Sequence, residues 1–201
     1  MYHNGAFDSA GQHALLAAIE TGEAAAPAYT PTMPRTGRPF SVRMTNFGAL
    51  GWVSDRSGYR YQPTHPDTGA PWPPIPEALT ALWTALGAPA EPDACLVNHY
   101  GEGAKMGLHQ DRDEETFEAP VVSVSLGDTA LFRIGQTTRG GKTRSIRLTS
   151  GDVLVFGGPA RLIYHGIDRL YPGTSTLLPG GGRINLTLRR VRPFYIDAPS
   201  L

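Results

Sequence analysis

His109, Asp111 and His165 carry the side chains best suited to metal chemistry in this chain. In an extended segment, residues i and i+2 point to the same side. The H-x-D pair of His109 and Asp111 therefore offers an imidazole and a carboxylate side by side. The third ligand must come from another strand. His165 follows the apolar run Leu162-Ile163-Tyr164, consistent with a strand end. Two imidazoles and one carboxylate occupy one face of an octahedron and leave positions open for a co-substrate and dioxygen, as in non-haem Fe(II) sites. Zinc accepts the same donors, so the pattern alone leaves the metal open. His3, His13, His65 and His99 have no such neighbours and are expected to be ordinary surface residues.

The run Arg183-Ile184-Asn185-Leu186-Thr187-Leu188-Arg189 alternates completely. Ile184, Leu186 and Leu188 take one face; Arg183, Asn185, Thr187 and Arg189 take the other. The plain interpretation is a half-buried sheet with its polar side in water. The chemical one is a barrel interior with a polar lining. Two buried arginines on one face need an acidic partner, and a dicarboxylate such as 2-oxoglutarate would supply it through bidentate guanidinium contacts. Asn98 and Tyr100 repeat the device on another strand. With the metal set, these residues imply an oxygenase that uses iron and 2-oxoglutarate.

Many short strands must position such a site. Ala94–Tyr100, Val121–Leu126, Ala130–Ile134, Arg144–Leu148, Val153–Phe156, Leu162–His165 and Ile184–Arg190 all read as strands separated by Gly-rich turns. That texture argues for a sandwich or jelly roll. Two helices precede them. Asp8 or Ser9 caps one running to about Glu20. Pro76 opens another, with Leu79, Leu82, Trp83 and Leu86 at helical spacing and Gly87 as its stop. Residues 26–76 between them, rich in Gly, Pro and Tyr, read as a hairpin-bearing insertion.

The chain has 201 residues, 40% of them hydrophobic, which fits one compact domain or one with a sizeable insertion. Net charge is zero, so the total says nothing of partners, but its distribution is uneven. Arg35, Arg38, Arg43, Arg56 and Arg60 are opposed only by Asp55. Arg133, Arg139, Lys142, Arg144 and Arg147 lie in a stretch with no acid. Such stripes can meet phosphates, although solvated loops explain them equally. The single cysteine, Cys95, sits in an apolar run, is expected in the core, and permits no internal disulfide. A reducing cytosol fits it and would favour Fe(II). No stretch approaches a membrane span and no signal peptide is visible.

From about Val42 to Arg190 the chain resembles the AlkB family of DNA and RNA dealkylation dioxygenases. The resemblance rests on MTNFGALGW (Met44–Trp52), RSGYRY (Arg56–Tyr61), LVNHY, LHQDRDE (Leu108–Glu114), VVSVSLG (Val121–Gly127), GDVLVFGG (Gly151–Gly158), YHGI (Tyr164–Ile167) and RINLTLR. It implies a mainly β (α+β) fold, a double-stranded β-helix spanning residues 93–201. Residues 1–92 would supply the N-terminal helices and a nucleotide-recognition lid at about 42–62. His109, Asp111 and His165 would bind Fe(II). Arg183 and Arg189 would hold the two carboxylates of 2-oxoglutarate, helped by Asn98, Tyr100 and Asn185, with O2 as the oxidant. Trp52 would stack on the damaged base, with His109 on its other side. Asp113 would meet the base edge, and Tyr59, Tyr61 and Arg139 would bind the nucleotide.

The implied activity is oxidative demethylation of N-alkylated bases such as 1-methyladenine or 3-methylcytosine, with release of formaldehyde and succinate. Such bases are cationic, which suits a carboxylate and an aromatic face. They must leave their stack to react, and damage to the pairing edge makes that easier. The implied partner is alkylated single-stranded DNA, with double-stranded DNA or RNA as further candidates. A cytoplasmic monomer without membrane contact is expected. Two departures are expected to matter. Phe156 stands where the bacterial prototype has Trp, which would alter a pocket wall. The N-terminus also looks short of the strand or extended segment that usually precedes the first helix. Two rival functions are an iron hydroxylase of a small molecule or protein side chain, and a non-catalytic β-barrel binding module. The Trp52 lid and basic stretches argue against the first; the triad with both arginines argues against the second.

Overall fold

A computed structural model describes residues 1–194. In chain order its elements are β1 (Tyr2–His3), α1 (Ser9–Ala25), β2 (Val42–Gly48), β3 (Gly51–Asp55), β4 (Gly58–Gln62), α2 (Glu77–Ala85), β5 (Ala94–Tyr100), β6 (Met106–His109), β7 (Val121–Gly127), β8 (Thr129–Ile134), β9 (Arg144–Leu148), β10 (Val153–Phe156), β11 (His165–Tyr171) and β12 (Arg183–Arg189). The strands form a large sheet, β1-β10-β7-β12-β5-β2, a smaller sheet, β6-β11-β8-β9, and the separate hairpin β3-β4. All pairings are antiparallel. This is the expected jelly roll.

The large sheet is covered on both faces, so alternation sorts its residues between two interiors. Cys95, Val97, Val122, Val124, Leu186 and Leu188 face the helices, where Leu15 and Ile19 of α1 and Leu79 and Trp83 of α2 meet them. The opposite face carries Val42, Met44, Leu96, Tyr100, Leu154 and Phe156 towards Phe132 and Ile167 of the smaller sheet. Burying both faces against apolar partners is the main source of stability, roughly 25 cal/mol per Å² of apolar surface removed from water.

Asp8 caps α1, its carboxylate accepting from the Gly11 amide at 2.8 Å. The helix runs past Glu20 to Ala25 and contains Gly22. There a Cβ would come within 2.2 Å of the Phe47 ring, so close approach to β2 requires glycine. Pro76 precedes α2 as its cap residue rather than lying inside it.

Four expectations need correction. Residues 42–48 are no part of a lid: β2 pairs along its length with β5 and buries Val42, Met44 and Phe47. Only β3 and β4 stand apart as a hairpin. The core also recruits strands from before residue 93, since β1 and β2 both belong to the large sheet. The 93–201 span expected for it ends in residues 195–201, outside those described. A strand does precede α1, since Tyr2 and His3 pair with Leu154 and Val153. Finally, Leu162–Tyr164 is not a strand ending at His165. His165 instead begins β11, and the turn before it is held by Tyr164 donating to the Gln136 carbonyl at 2.8 Å. The β11 register shifts between Ile167 and Arg169, which breaks the two-residue period that would have marked it.

Candidate active site

β6 and β11 lie side by side with His109 and His165 as register partners, so their rings approach to 4.5 Å between centroids. Asp111 follows the end of β6 and turns inward, buried. One ligand atom from each of the three lies within 4.8 Å of the other two. His109 Nδ1 is 2.9 Å from the Gly107 carbonyl, and His165 Nδ1 is 3.0 Å from that of Ile163. A carbonyl only accepts, so each Nδ1 carries a proton and each Nε2 is the nitrogen left to face the cluster. Those Nε2 atoms lie 3.8 and 3.7 Å from the two oxygens of Asp111.

Electrostatics keeps these donors in ligating form. Burial opposes the charge on Asp111, but Arg189, then His165 and His109, hold its carboxyl well below the usual carboxylate range. Burial draws His165 down to about 4 against the pull of Asp111, so its imidazole is neutral at pH 7. Asp111 Oδ2 is buried with no hydrogen-bond partner among the described residues. Two imidazole nitrogens and a carboxylate oxygen converging on one point fit a divalent metal.

Next to this cluster is the polar face of β12. Arg183 is buried, and its Nη2 donates to Ser125 Oγ at 2.8 Å. Among the described residues its Nε and Nη1 have no partner, and neither does Asn98 Oδ1. Burial lowers the Arg183 pKa. Tyr100, in register with Arg183, has its hydroxyl pushed up to about 12 by burial and stays a donor. A buried cation with open donors beside a phenol fits a carboxylate ligand. Arg189 differs, because it already contacts acids. Its Nη2 donates to Asp111 Oδ1 at 2.8 Å and its Nε is 3.1 Å from Glu114 Oε1. Asn185 also differs. Its amide donates to Ser123 Oγ and the Val124 carbonyl, and its oxygen accepts from Thr187.

One cavity of about 640 Å³ joins Arg183, the triad and the hairpin. At its mouth, Trp52 stacks on Tyr59 with centroids 5.5 Å apart. Trp52 Nε1 donates to Asp113 Oδ2 at 2.8 Å. Tyr59 is 49% exposed, and Arg139 is exposed on the rim. Tyr61, on the same hairpin face as Trp52, reaches inward and donates to Glu114 Oε1 at 2.8 Å. The cavity thus gathers every residue expected at the site, with Tyr61 and Asn185 committed to protein partners.

Residues 1–189 match the family model of the 2OG-Fe(II) oxygenase superfamily. The chain is similar to an alpha-ketoglutarate-dependent dioxygenase AlkB homolog of Caulobacter vibrioides, 57% identical over 94% of this chain and 86% of that one. It is 47% identical to alpha-ketoglutarate-dependent dioxygenase AlkB of Escherichia coli, over 77% of this chain and 73% of that one. The chain belongs to the AlkB family. Its fold matches the solved structure of OsALKBH1 with a TM-score of 0.80 and 34% identity, over 94% of this chain and 95% of that one. As an AlkB-family enzyme it is an Fe(II)- and 2-oxoglutarate-dependent dioxygenase.

Several residues of this AlkB-family site were not anticipated. Glu114 is buried and receives Tyr61, Arg189 and Arg161, the last at 3.2 Å. Arg161, also buried, donates to the main-chain carbonyls of Asp111, at 2.7 Å, and Ala119. Nothing in the local sequence marks Arg161. Ser123 and Ser125 could have been found, as the two polar residues alternating with valines in β7 opposite Thr187 and Asn185. Phe156, the residue expected to alter a pocket wall, stacks on the His165 ring with centroids 4.9 Å apart. Two histidines need correction. His65 is buried between Tyr29 and Trp72, accepting from the Asp67 and Thr68 amides. His99 Nε2 lies 2.6 Å from Glu23 Oε1, tying β5 to α1.

Proposed function

We propose that this enzyme removes N-alkyl groups from nucleic-acid bases, with His109, Asp111 and His165 as the iron ligands and Arg183 as the main anchor of 2-oxoglutarate. When bound, Fe(II) with 2-oxoglutarate and dioxygen supplies oxidation of the N-alkyl carbon, giving succinate, carbon dioxide and, from a methyl group, formaldehyde. The protein's part is placement. The neutral imidazole of His165 and the ionised Asp111 offer donors without first losing a proton, and His109 turns its Nε2 to the same point. Arg183 and the Tyr100 hydroxyl orient one carboxylate; Asn98, Asn185 and Arg189 line the rest of that chamber. Phe132 and Phe156 form an apolar wall that excludes water from the reacting carbon. Trp52 and Asp113 favour a cationic base by its face and its edge. Tyr59 and Arg139 on the rim, with Tyr61 deeper on the same hairpin face, serve the rest of the nucleotide.

The observation that carries this reading is the shared cavity. An open buried arginine, a triad of metal donors and an aromatic hairpin with an acid at its edge line one space. Single-stranded DNA is the favoured form, because extrusion of the base costs least there; RNA and duplex DNA are the alternatives. One chain supplies the whole site, so a monomer suffices. The reducing cytosol suits both Fe(II) and the buried thiol of Cys95.

The test is aerobic incubation with Fe(II), 2-oxoglutarate and a single-stranded oligonucleotide bearing 1-methyladenine or 3-methylcytosine, read by mass spectrometry. Loss of one methyl mass, dependent on both cofactors and competed by unlabelled alkylated DNA, is expected. Succinate formed without any change in the oligonucleotide would move the substrate to a small molecule or protein side chain. No succinate from iron-loaded protein would leave only a binding module.

A further inference from the structure

Trp52 on β3 and Tyr61 on β4 are cross-strand partners in the hairpin. Each donates to one of two consecutive acids, Trp52 Nε1 to Asp113 and Tyr61 Oη to Glu114, both at 2.8 Å. These acids come directly after the Asp111 segment, so the hairpin rests on the loop that carries a metal donor. The two contacts differ in depth. Asp113 is exposed, whereas the Glu114 side chain is 1% exposed.

Beneath the surface Glu114 does more than receive a tyrosine. Its carboxylate lies 3.1 Å from Arg189 Nε and 3.2 Å from Arg161 Nη2. Both are ion-pair distances, but neither pair is aligned as a hydrogen bond, since Glu114 Oε2 and Arg189 Nε have no such partner among the described residues. The two arginines meet again at Asp111. Arg189 binds its side-chain oxygen and Arg161 its main-chain carbonyl. A closed group of two acids and two arginines therefore has the hairpin at one end and a metal donor at the other. Tyr61 Oη is the hairpin's contact with that group. A charge balance this tight in a buried setting has two consequences. Shifting one member leaves another uncompensated, and the imperfect alignment leaves Arg189 room to turn towards a ligand carboxylate.

We propose that Glu114 is a positioning residue that links seating of the β3-β4 hairpin to the orientation of Arg189, so that 2-oxoglutarate and hairpin closure stabilise each other. The inference rests on the assignment of β12 to the co-substrate. Linkage of this kind is reciprocal: a base that seats the hairpin tightens co-substrate binding, and the co-substrate firms the hairpin before a base arrives. The enzyme thereby holds its oxidising site complete only when the recognition element is closed over it.

Hydrogen exchange of the full chain tests this without turnover, using Zn(II) as a redox-inert metal with and without 2-oxoglutarate. In the natural protein, 2-oxoglutarate should slow exchange across both β12 and residues 51–62, the latter by at least about fivefold, the lower end of common coupling strengths. Tyr61→Phe removes the hairpin's contact while leaving every charge. Glu114→Gln keeps an acceptor for Tyr61 but removes the charge facing both arginines. In both variants β12 should still gain protection while the hairpin response falls below about twofold, within the range of no coupling. A purely structural Glu114 would loosen the hairpin equally with and without 2-oxoglutarate, and that result overturns the proposal. So does a hairpin in either variant that responds as the natural protein does. If Glu114→Gln fails to fold, Tyr61→Phe decides alone. Failure of β12 itself to respond in the natural protein would instead refute the co-substrate assignment, and the linkage with it.

Discussion

Arg183 and Arg189 look equivalent as letters at the two ends of one alternating run, yet their surroundings divide their work. Arg183 has a serine and open donors; Arg189 has two acids. Arg183→Gln should therefore raise the KM for 2-oxoglutarate by roughly a hundredfold, the worth of a charge-assisted contact of about 3 kcal/mol. Metal content should be unchanged. Arg189→Gln should lower metal retention as well, because Asp111 and Glu114 lose their common cation. Titration of 2-oxoglutarate alongside metal analysis separates the two, and matching losses in both variants would refute the division. His165 gives a second prediction at this scale. Its pKa in the folded protein is drawn down to about 4 by burial, against about 6.5 in an unfolded chain. The unfolded state thus binds more protons between these values, and metal-free protein should lose stability as pH falls from about 6.5 towards 4. The His165 ring resonances of metal-free protein should titrate near the lower value; a midpoint above 6 would contradict the burial argument.

At the scale of elements, the hairpin stands on its own charges. Arg60 clamps Asp55 with two hydrogen bonds of 3.0 and 2.8 Å across the base of the turn. Hydrogen bonds from Arg60, then from the Ser57 amide, hold the Asp55 carboxyl at about 2. A depressed acid contributes stability that is present above its unfolded value near 4 and lost as pH falls towards 2. The Ser57 amide, which donates to Asp55 at 2.7 Å, should keep slow exchange down to about pH 4 and lose it below; protection unchanged at pH 2 would deny the clamp a role. This element is legible in the Gly-, Pro- and Tyr-rich texture of residues 26–76, and Asp55-Arg56-Ser57-Gly58 forms its turn. Similarly, β12 was legible because both its faces are buried, one apolar and one polar, so a strict two-residue period survives. β11 was not, because its bulge interrupts that period and its partners lie far away in sequence. The extent of the lid was misjudged for a related reason. The resemblance puts Val42–Gly48 in the lid, but its fate is decided by β5, which no local pattern reveals. The triad was readable from spacing, whereas Arg161 and Glu114 act through contacts made only once the chain has folded.

Across the whole molecule, the cavity lies between the two sheets, and its donors are shared between them. The imidazoles belong to β6 and β11 in the smaller sheet; Arg183 and Asn98 belong to β12 and β5 in the larger one. Ligands that touch both donor sets tie the sheets together and should act on global stability. With Zn(II) and 2-oxoglutarate each at about a hundred times its dissociation constant, the second ligand should contribute about 2.7 kcal/mol beyond the metal alone. That corresponds to a rise in Tm of roughly 5–10 °C for a chain of this size. The same geometry implies a cost in the metal-free protein, because Arg183 is a buried cation without an acid among the described residues, and burial disfavours its charge. Arg183→Met should therefore raise the Tm of the metal-free protein, by roughly 2–4 °C if the gain is about 1 kcal/mol. It should also abolish the further rise that 2-oxoglutarate gives the metal-loaded natural protein. Calorimetry of both proteins in the three ligand states decides the matter. A variant less stable than the natural protein when empty would mean that Ser125 and the Tyr100 ring already compensate Arg183, and that the arginine is a structural member of β12. A variant that is more stable when empty and indifferent to 2-oxoglutarate would mean that the fold tolerates an uncompensated charge in its interior for the sake of a ligand that brings the opposite one.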